Sequence, residues 1–222
     1  MTKYFRKELE KIKKKLLSLG AIIEQRIHLV CKAVLSCDAD VASRIISSDN
    51  EIDEMEVEIE EDCLKVLALY QPVAVDLRFI IAVIKINSQL ERIGDQAVNI
   101  AERVDVLAKK EIMDFIFDYT PMIEKAEFML KKSLDALVNF DLDIAEMVCV
   151  LDDEVDGMKE DAYDKIKIAM KNNPERLGYL LNFFLISRHI ERIADLSTNI
   201  AEDVIYLIEG EIVRHEKFDG EK

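Results

Sequence analysis

Glycine and proline are scarce in this chain, six and three among 222 residues. Strand-rich proteins need both at their turns, so the scarcity argues for long helices. Cationic excess is missing too. The formal net charge is −15, and a surface that grips a nucleic-acid backbone has to be cationic, which excludes nucleic acid as the primary partner. Such a charge fits a protein that recruits cations or basic partner surfaces. No stretch approaches the roughly 20 apolar residues of a membrane span. The opening Met1-Thr-Lys-Tyr-Phe-Arg-Lys-Glu8 lacks the apolar centre of a signal peptide. The cysteines at 31, 37, 63 and 149 form no Cys-x-x-Cys pair, a spacing that reads as reduced thiols rather than a disulfide framework. A cytoplasmic location is expected. There is no Gly-rich phosphate loop and no nucleophile motif. His28, His189 and His215 stand apart, and His189, near the apolar side of its helix, reads as a packed residue.

What the chain does have is apolar periodicity, with half of its residues hydrophobic. Phe5, Leu9, Ile12, Leu16, Leu19, Ile23, Ile27, Val30 and Val34 step by three and four, which predicts a helix from Thr2 to Ser36. Lys3, Arg6, Lys7, Lys11, Lys13, Lys14 and Lys15 give its first half a basic patch, either a solvated face or a docking surface for anionic lipid or an acidic partner. A turn at Cys37-Asp-Ala-Asp40, with Asp40 as N-cap, opens a second helix that Gln71-Pro72 stops near Tyr70. Asp76 is read as the cap of a third helix reaching Ala108. A fourth spans Met113 to Phe140, and a fifth follows the turn Phe140-Asp-Leu-Asp143 as far as Asn172. The sixth opens at Pro174, a favoured first position, and ends near Glu209. The last dozen residues are charged and expected to fray.

The chain repeats itself. Glu91-Arg-Ile-Gly-Asp95-Gln-Ala-Val-Asn99-Ile-Ala-Glu102 returns 100 positions later as Glu191-Arg-Ile-Ala-Asp195-Leu-Ser-Thr-Asn199-Ile-Ala-Glu202, with eight of twelve residues identical. The region from Ala33 to Asp53 matches that from Ala136 to Asp156 at an offset of 103. Duplication on this scale reports a repeated structural unit. The expected fold is all-α: two tandem antiparallel three-helix bundles, divided as 1–110 and 111–222, with six long helices.

At about 100° per residue, Glu91, Asp95, Asn99 and Glu102 fall in one stripe about 80° wide. Ile86, Leu90, Ile93, Ala97, Ile100 and Val104 occupy the opposite side, so the acids point away from the core. This differs from ferritin-like di-iron bundles, whose ligands project inward with Glu-x-x-His pairs. Each preceding helix carries a matching pair, Asp49-x-x-x-Asp53 and Asp152-x-x-x-Asp156, and Glu56 and Glu60 extend the first row. Like charges at i, i+4 destabilise a helix, and facing rows across two helices need a cation. The all-oxygen donor set suits hard ions such as Mg²⁺, Mn²⁺ or ferric iron. A solvated acidic face, neutralised by Arg92 and Arg192, is the plain alternative.

The doubled motif, together with Gln71-Pro-Val-Ala-Val-Asp-Leu-Arg78 ahead of its first copy, resembles the PhoU family over nearly the whole chain. The resemblance implies two three-helix PhoU domains, a homodimer, and metal clusters of iron or of Mg, Mn or Zn. It assigns the ligands to Asp49, Asp53, Glu91 and Asp95 in one half and to Asp152, Asp156, Glu191 and Asp195 in the other. Asn99, Glu102, Asn199 and Glu202 are secondary candidates. It also implies a non-enzymatic negative regulator, peripheral at the membrane, that couples the ATPase component of a phosphate ABC transporter to a sensor histidine kinase. The segment from Asn173 to Leu177 departs from its counterpart, Pro72 to Arg78. A metal-dependent carboxylate enzyme and an iron-storage protein are the competing functional readings.

Overall fold

The computed structural model describes residues 3–109 and 117–213. Within them the chain is helical, in the order α1 (Lys3–Ser36), α2 (Ala39–Ser47), α3 (Asn50–Tyr70), α4 (Val75–Ala108), α5 (Thr120–Asn139), α6 (Leu142–Asn172) and α7 (Leu177–Glu209). A 3₁₀ turn, Pro174–Arg176, precedes α7. The expected all-α, six-helix order stands, with the second helix divided into α2 and α3. At 34 and 33 residues, α4 and α7 are each roughly 50 Å long. They make the most extensive helix pairing among the described residues. Their buried stripes, Ile86, Leu90, Ile93, Ile100 and Val104 on one and Ile186, Ile190, Ile193, Ile200 and Val204 on the other, join the apolar residues of both halves in one continuous core.

The helix starts differ from the sequence reading in physically informative ways. Cys37 adopts a left-handed φ of 51°, ends α1, and leaves Asp38, not Asp40, as the N-cap. The Asp38 carboxylate accepts from the Asp40 and Val41 amides at 3.0 Å each. The second half repeats the device. Phe140 has φ 53°, and Asp141 accepts from the Ile144 amide at 3.1 Å. Asp76 is not a cap either. The helix α4 starts two residues earlier, with Ala74 at φ 49° in the cap position, and Asp76 lies in its first turn, where the helix dipole favours a carboxylate. The fourth helix begins at Thr120 rather than Met113, with Pro121 in its first turn. Met113 itself lies outside the described residues, as do Thr2, His215 and most of the terminal stretch expected to fray.

The division between α2 and α3 falls at Ser48 and Asp49, and Arg26 explains how it is tolerated. This arginine of α1 is only 6% exposed. It donates from Nη2 to the Ser48 carbonyl at 2.6 Å and from Nη1 to Asp49 Oδ1 at 2.8 Å. The guanidinium thus satisfies a carbonyl that a continuous helix would have used internally. In the second half Met129 stands 103 residues after Arg26, and α6 runs unbroken. Close packing serves the same corner. A Cβ on Gly94 would lie 3.2 Å from both Ile23 and Ile52, so the glycine lets α4 approach α1 and α3.

Between the halves, Lys85 of α4 reaches Asp203 of α7 at 2.9 Å and lies 4.8 Å from the centre of the Tyr206 ring. The basic patch of α1 is partly engaged within the fold. Lys15 pairs with Glu58 and Asp62 of α3 at 2.6 Å each, and Lys11 with Asp62 at 3.0 Å.

Replacing Arg26 by its second-half counterpart, Arg26→Met, removes both buried charge-assisted bonds and leaves the Ser48 carbonyl without its donor. The expected loss is about 2–4 kcal/mol of stability, read as a fall in the urea midpoint. An unchanged midpoint would show that the break between α2 and α3 does not depend on this side chain.

Candidate functional site

The acidic residues of the first half meet in a groove between α3 and α4. Asp49 stands at the start of α3 with Asp53 one turn on and Glu56 further along, facing Glu91 and Asp95 of α4. The stripe read as outward-facing is half-buried in this groove. Asp49, Glu56, Glu91 and Asp95 are partly covered and Asp53 is exposed. Burial pushes the Glu91 carboxyl up to about 7, reinforced by the charges of Asp95, Glu56, Asp53 and Asp49. Asp95 is raised by burial and then by Asp49 and Asp53, with Arg92 acting the other way. Glu56 is raised by burial, Glu60 and Asp53. These shifts have one meaning: carboxylates share a partly dry space with too little positive charge.

The second half places the equivalent acids on α6 and α7 but surrounds them differently. Lys159 of α6 donates to Asp156 Oδ1 and to Glu191 Oε1, both at 2.8 Å. Arg192 donates to Asp195 at 3.0 Å. Thr198 donates its hydroxyl to Asp152 Oδ1 at 3.0 Å. Burial raises Asp152 to about 6, the Thr198 bond opposes the rise, and the Asp195, Asp156 and Asp153 charges add to it. Beside this site lies an open cavity of about 750 Å³, lined in part by Lys159, Arg188, His189, Glu191 and Arg192.

The eight primary candidates therefore gather as two facing sets of four. The secondary ones do not all join them. Glu102 turns to Arg103 at 2.8 Å, while Asn99, Asn199 and Glu202 are half-buried further along the stripes. Among the described residues, no group of three or more His, Cys, Asp or Glu side chains stands at metal-ligating spacing. The first-half acids share a groove and an electrostatic field without converging on one point. What they share is oxygen donors and an excess of negative charge.

His189 is half-buried and contacts Gln96 Oε1 of α4 at 2.9 Å. Burial and then Arg103 and Arg188 lower its pKa, so it serves the contact between halves rather than an acidic set. All four cysteines are free. Among the described residues no helix is long and apolar enough to cross a membrane.

The sequence reading missed Arg26, Lys159 and Thr198. Arg26 was legible as a charge interrupting the apolar stripe of α1, between Ile23 and Ile27. Lys159 was legible from the repeat itself, because it occupies the position of Glu56 in the other half. Thr198, where the first half has Val98, offered no signal beyond a polar substitution.

A family model described as the PhoU domain matches the chain twice, over residues 16–104 and 120–204. The phosphate-specific transport system accessory protein PhoU homolog of Clostridium acetobutylicum is 36% identical over 212 residues, covering 95% of this chain and 97% of that protein. Its counterpart in Escherichia coli is 31% identical over 218 residues, covering 95% and 88%. Crystal structures of PhoU from Pseudomonas aeruginosa (TM-score 0.89, 34% identity, 93% of this chain and 100% of that one) and of the phosphate transport system regulatory protein PhoU from Streptococcus pneumoniae (TM-score 0.85, 28% identity, 94% and 99%) share the fold.

The raised carboxyls set a pH dependence. Glu91 and Asp152 have ordinary values of 4.5 and 3.8 and folded values of about 7 and about 6. Between those limits the folded chain holds protons that the unfolded chain has released. Stability of chelator-treated protein should therefore fall as pH rises from about 4 to 7. Glu91→Gln should flatten the fall and stabilise the protein at pH 7 by on the order of 1 kcal/mol, after allowance for solvent screening. Thermal melts across that range give the slope, and a steeper fall in the variant would contradict the assignment.

Proposed function

The chain belongs to the PhoU family, and on that premise we propose that it regulates phosphate uptake as a cytoplasmic, non-enzymatic, metal-binding adaptor. The observation that carries this reading is the doubled acidic motif set inside a family match spanning nearly the whole chain. Relatives that align over 95% of it are described as accessory proteins of the phosphate-specific transport system.

The geometry supports an adaptor in two ways. First, the long helices present extended flanks, and the groove acids lie at a seam between helices, Asp49 and Asp53 on one side and Glu91 and Asp95 on the other. A metal cation, iron foremost and Mg²⁺, Mn²⁺ or Zn²⁺ as alternatives, would supply positive charge there without any redox or hydrolytic step. The chain's own residues would do the rest, fixing the spacing of α3 and α4 and hence the shape of the flank a partner meets. Second, in the other half the acids are held by the chain's own donors, Lys159, Arg192 and Thr198, which fix α6 against α7 as a structural contact. The partners proposed are the ATPase component of a phosphate ABC transporter and a sensor histidine kinase, restrained when phosphate is plentiful, with the chain acting as a homodimer.

The test is complementation. In a bacterial host deleted for its own PhoU gene, this chain should restore repression of a phosphate-starvation reporter at high phosphate. The double variant Glu91→Gln, Asp95→Asn should accumulate normally and restore it only weakly. Full activity of the double variant would remove the groove from the mechanism, and failure of the unmodified chain to repress at all would overturn the regulatory reading.

A further inference from the structure

The duplication invites the assumption that its two acidic sites do the same thing. Their surroundings differ at one decisive position. Glu56 of the first half is replaced, 103 residues on, by Lys159, an exchange worth two units of charge. The Lys159 ammonium sits between the two helices, 2.8 Å from Asp156 of α6 and 2.8 Å from Glu191 of α7, so one carboxylate from each helix is already paired with a cation of the chain. The Glu191 side chain is 16% exposed and that of Asp156 50%, so the ammonium spans from the covered side of the seam to its solvent-facing side. Arg192 engages Asp195 and Thr198 engages Asp152, which leaves each of the four acids with a donor from the chain itself. In the first half Arg26 engages Asp49, whereas Glu56 adds a further negative charge beside Glu91.

We propose that the two sites are not equivalent: Lys159 fills the second with the chain's own cation, so that metal binds in the first half and is shut out of the second. A divalent ion entering the second half would have to displace an ammonium held by two carboxylates and would be repelled by it on approach. The second half is then a permanently closed version of the site, holding α6 to α7 without a metal. The statement about the first half rests on the cation reading given above; the statement about Lys159 does not.

The test uses full-length protein stripped with chelator and titrated with Mn²⁺, bound metal being read by electron paramagnetic resonance. In a Glu91→Gln, Asp95→Asn background only the second half is left to report. There, protein with Lys159 intact should take up no Mn²⁺, and adding Lys159→Glu should raise the Mn²⁺ affinity by at least about tenfold. Far-UV circular dichroism checks that the charge reversal folds. Lys159→Met, which removes the ammonium without adding an acid, is the substitute if it does not, and should also gain Mn²⁺ binding. Mn²⁺ bound by the background protein and lost on Glu191→Gln, Asp195→Asn would overturn the proposal. So would a folded Lys159 variant that gains no metal. If unmodified protein and the Glu91→Gln, Asp95→Asn protein bind equal Mn²⁺, the first-half cation reading fails, while the Lys159 comparison still decides the closed state of the second half.

Discussion

The pairing of α4 with α7 is the contact on which the rest of the molecule depends. Each helix turns an apolar stripe of isoleucine, leucine, valine and alanine inward, and the outer helices pack around the seam they form. Because a helix has only two sides to give, committing one stripe of α4 and α7 to the core sets the angular position of everything else they carry. The acidic residues of both motifs therefore arrive at seams with α3 and α6, neither in the dry centre nor fully in water. That half-covered depth is what lets like charges shift one another's proton affinity while still being reachable from solvent.

Two halves descended from one unit meet the same electrostatic problem by different means. The first concentrates five carboxylates and brings in a buried guanidinium for one of them. The second brings in an ammonium, a guanidinium and a hydroxyl. Removing water from facing carboxylates is unfavourable whichever way the charge is balanced, so each half must balance it somehow. An internal cation gives a contact that is always made. A groove short of positive charge gives one that depends on what the surroundings supply.

The all-α class, the duplication and the grouping of Asp49, Asp53, Glu91 and Asp95 were legible in the sequence, because helical periodicity and a long repeat are strong signals. Helix starts were less so. Asp38 and Asp40 are equally good N-caps on paper, and the choice was made by Cys37 taking a left-handed conformation that cysteine seldom adopts. The α2–α3 division was invisible because it depends on a partner in another helix, Arg26, rather than on a glycine or proline. The depth of the acidic stripe was also misjudged as outward-facing. A helical wheel places residues around one axis, and half-burial of Glu91 comes from a neighbouring helix the wheel does not contain. Lys159 is the opposite case, since aligning the two halves past Asp156 already exposes it.

The interruption at Ser48 has a mechanical side. In the second half, Asp152 and Asp156 ride on α6, a single 31-residue rod, and a force on either carboxylate is spread along its whole length. In the first half the rod is cut immediately before Asp49, and the two pieces are held together through Arg26. Asp49 stands at that break and Asp53 one turn into α3. Shifting α3 against α2 would require repacking only the contacts around one guanidinium, whereas shifting the corresponding acids of the second half would require bending a continuous helix. One half of the duplicated protein is jointed, and the other is braced.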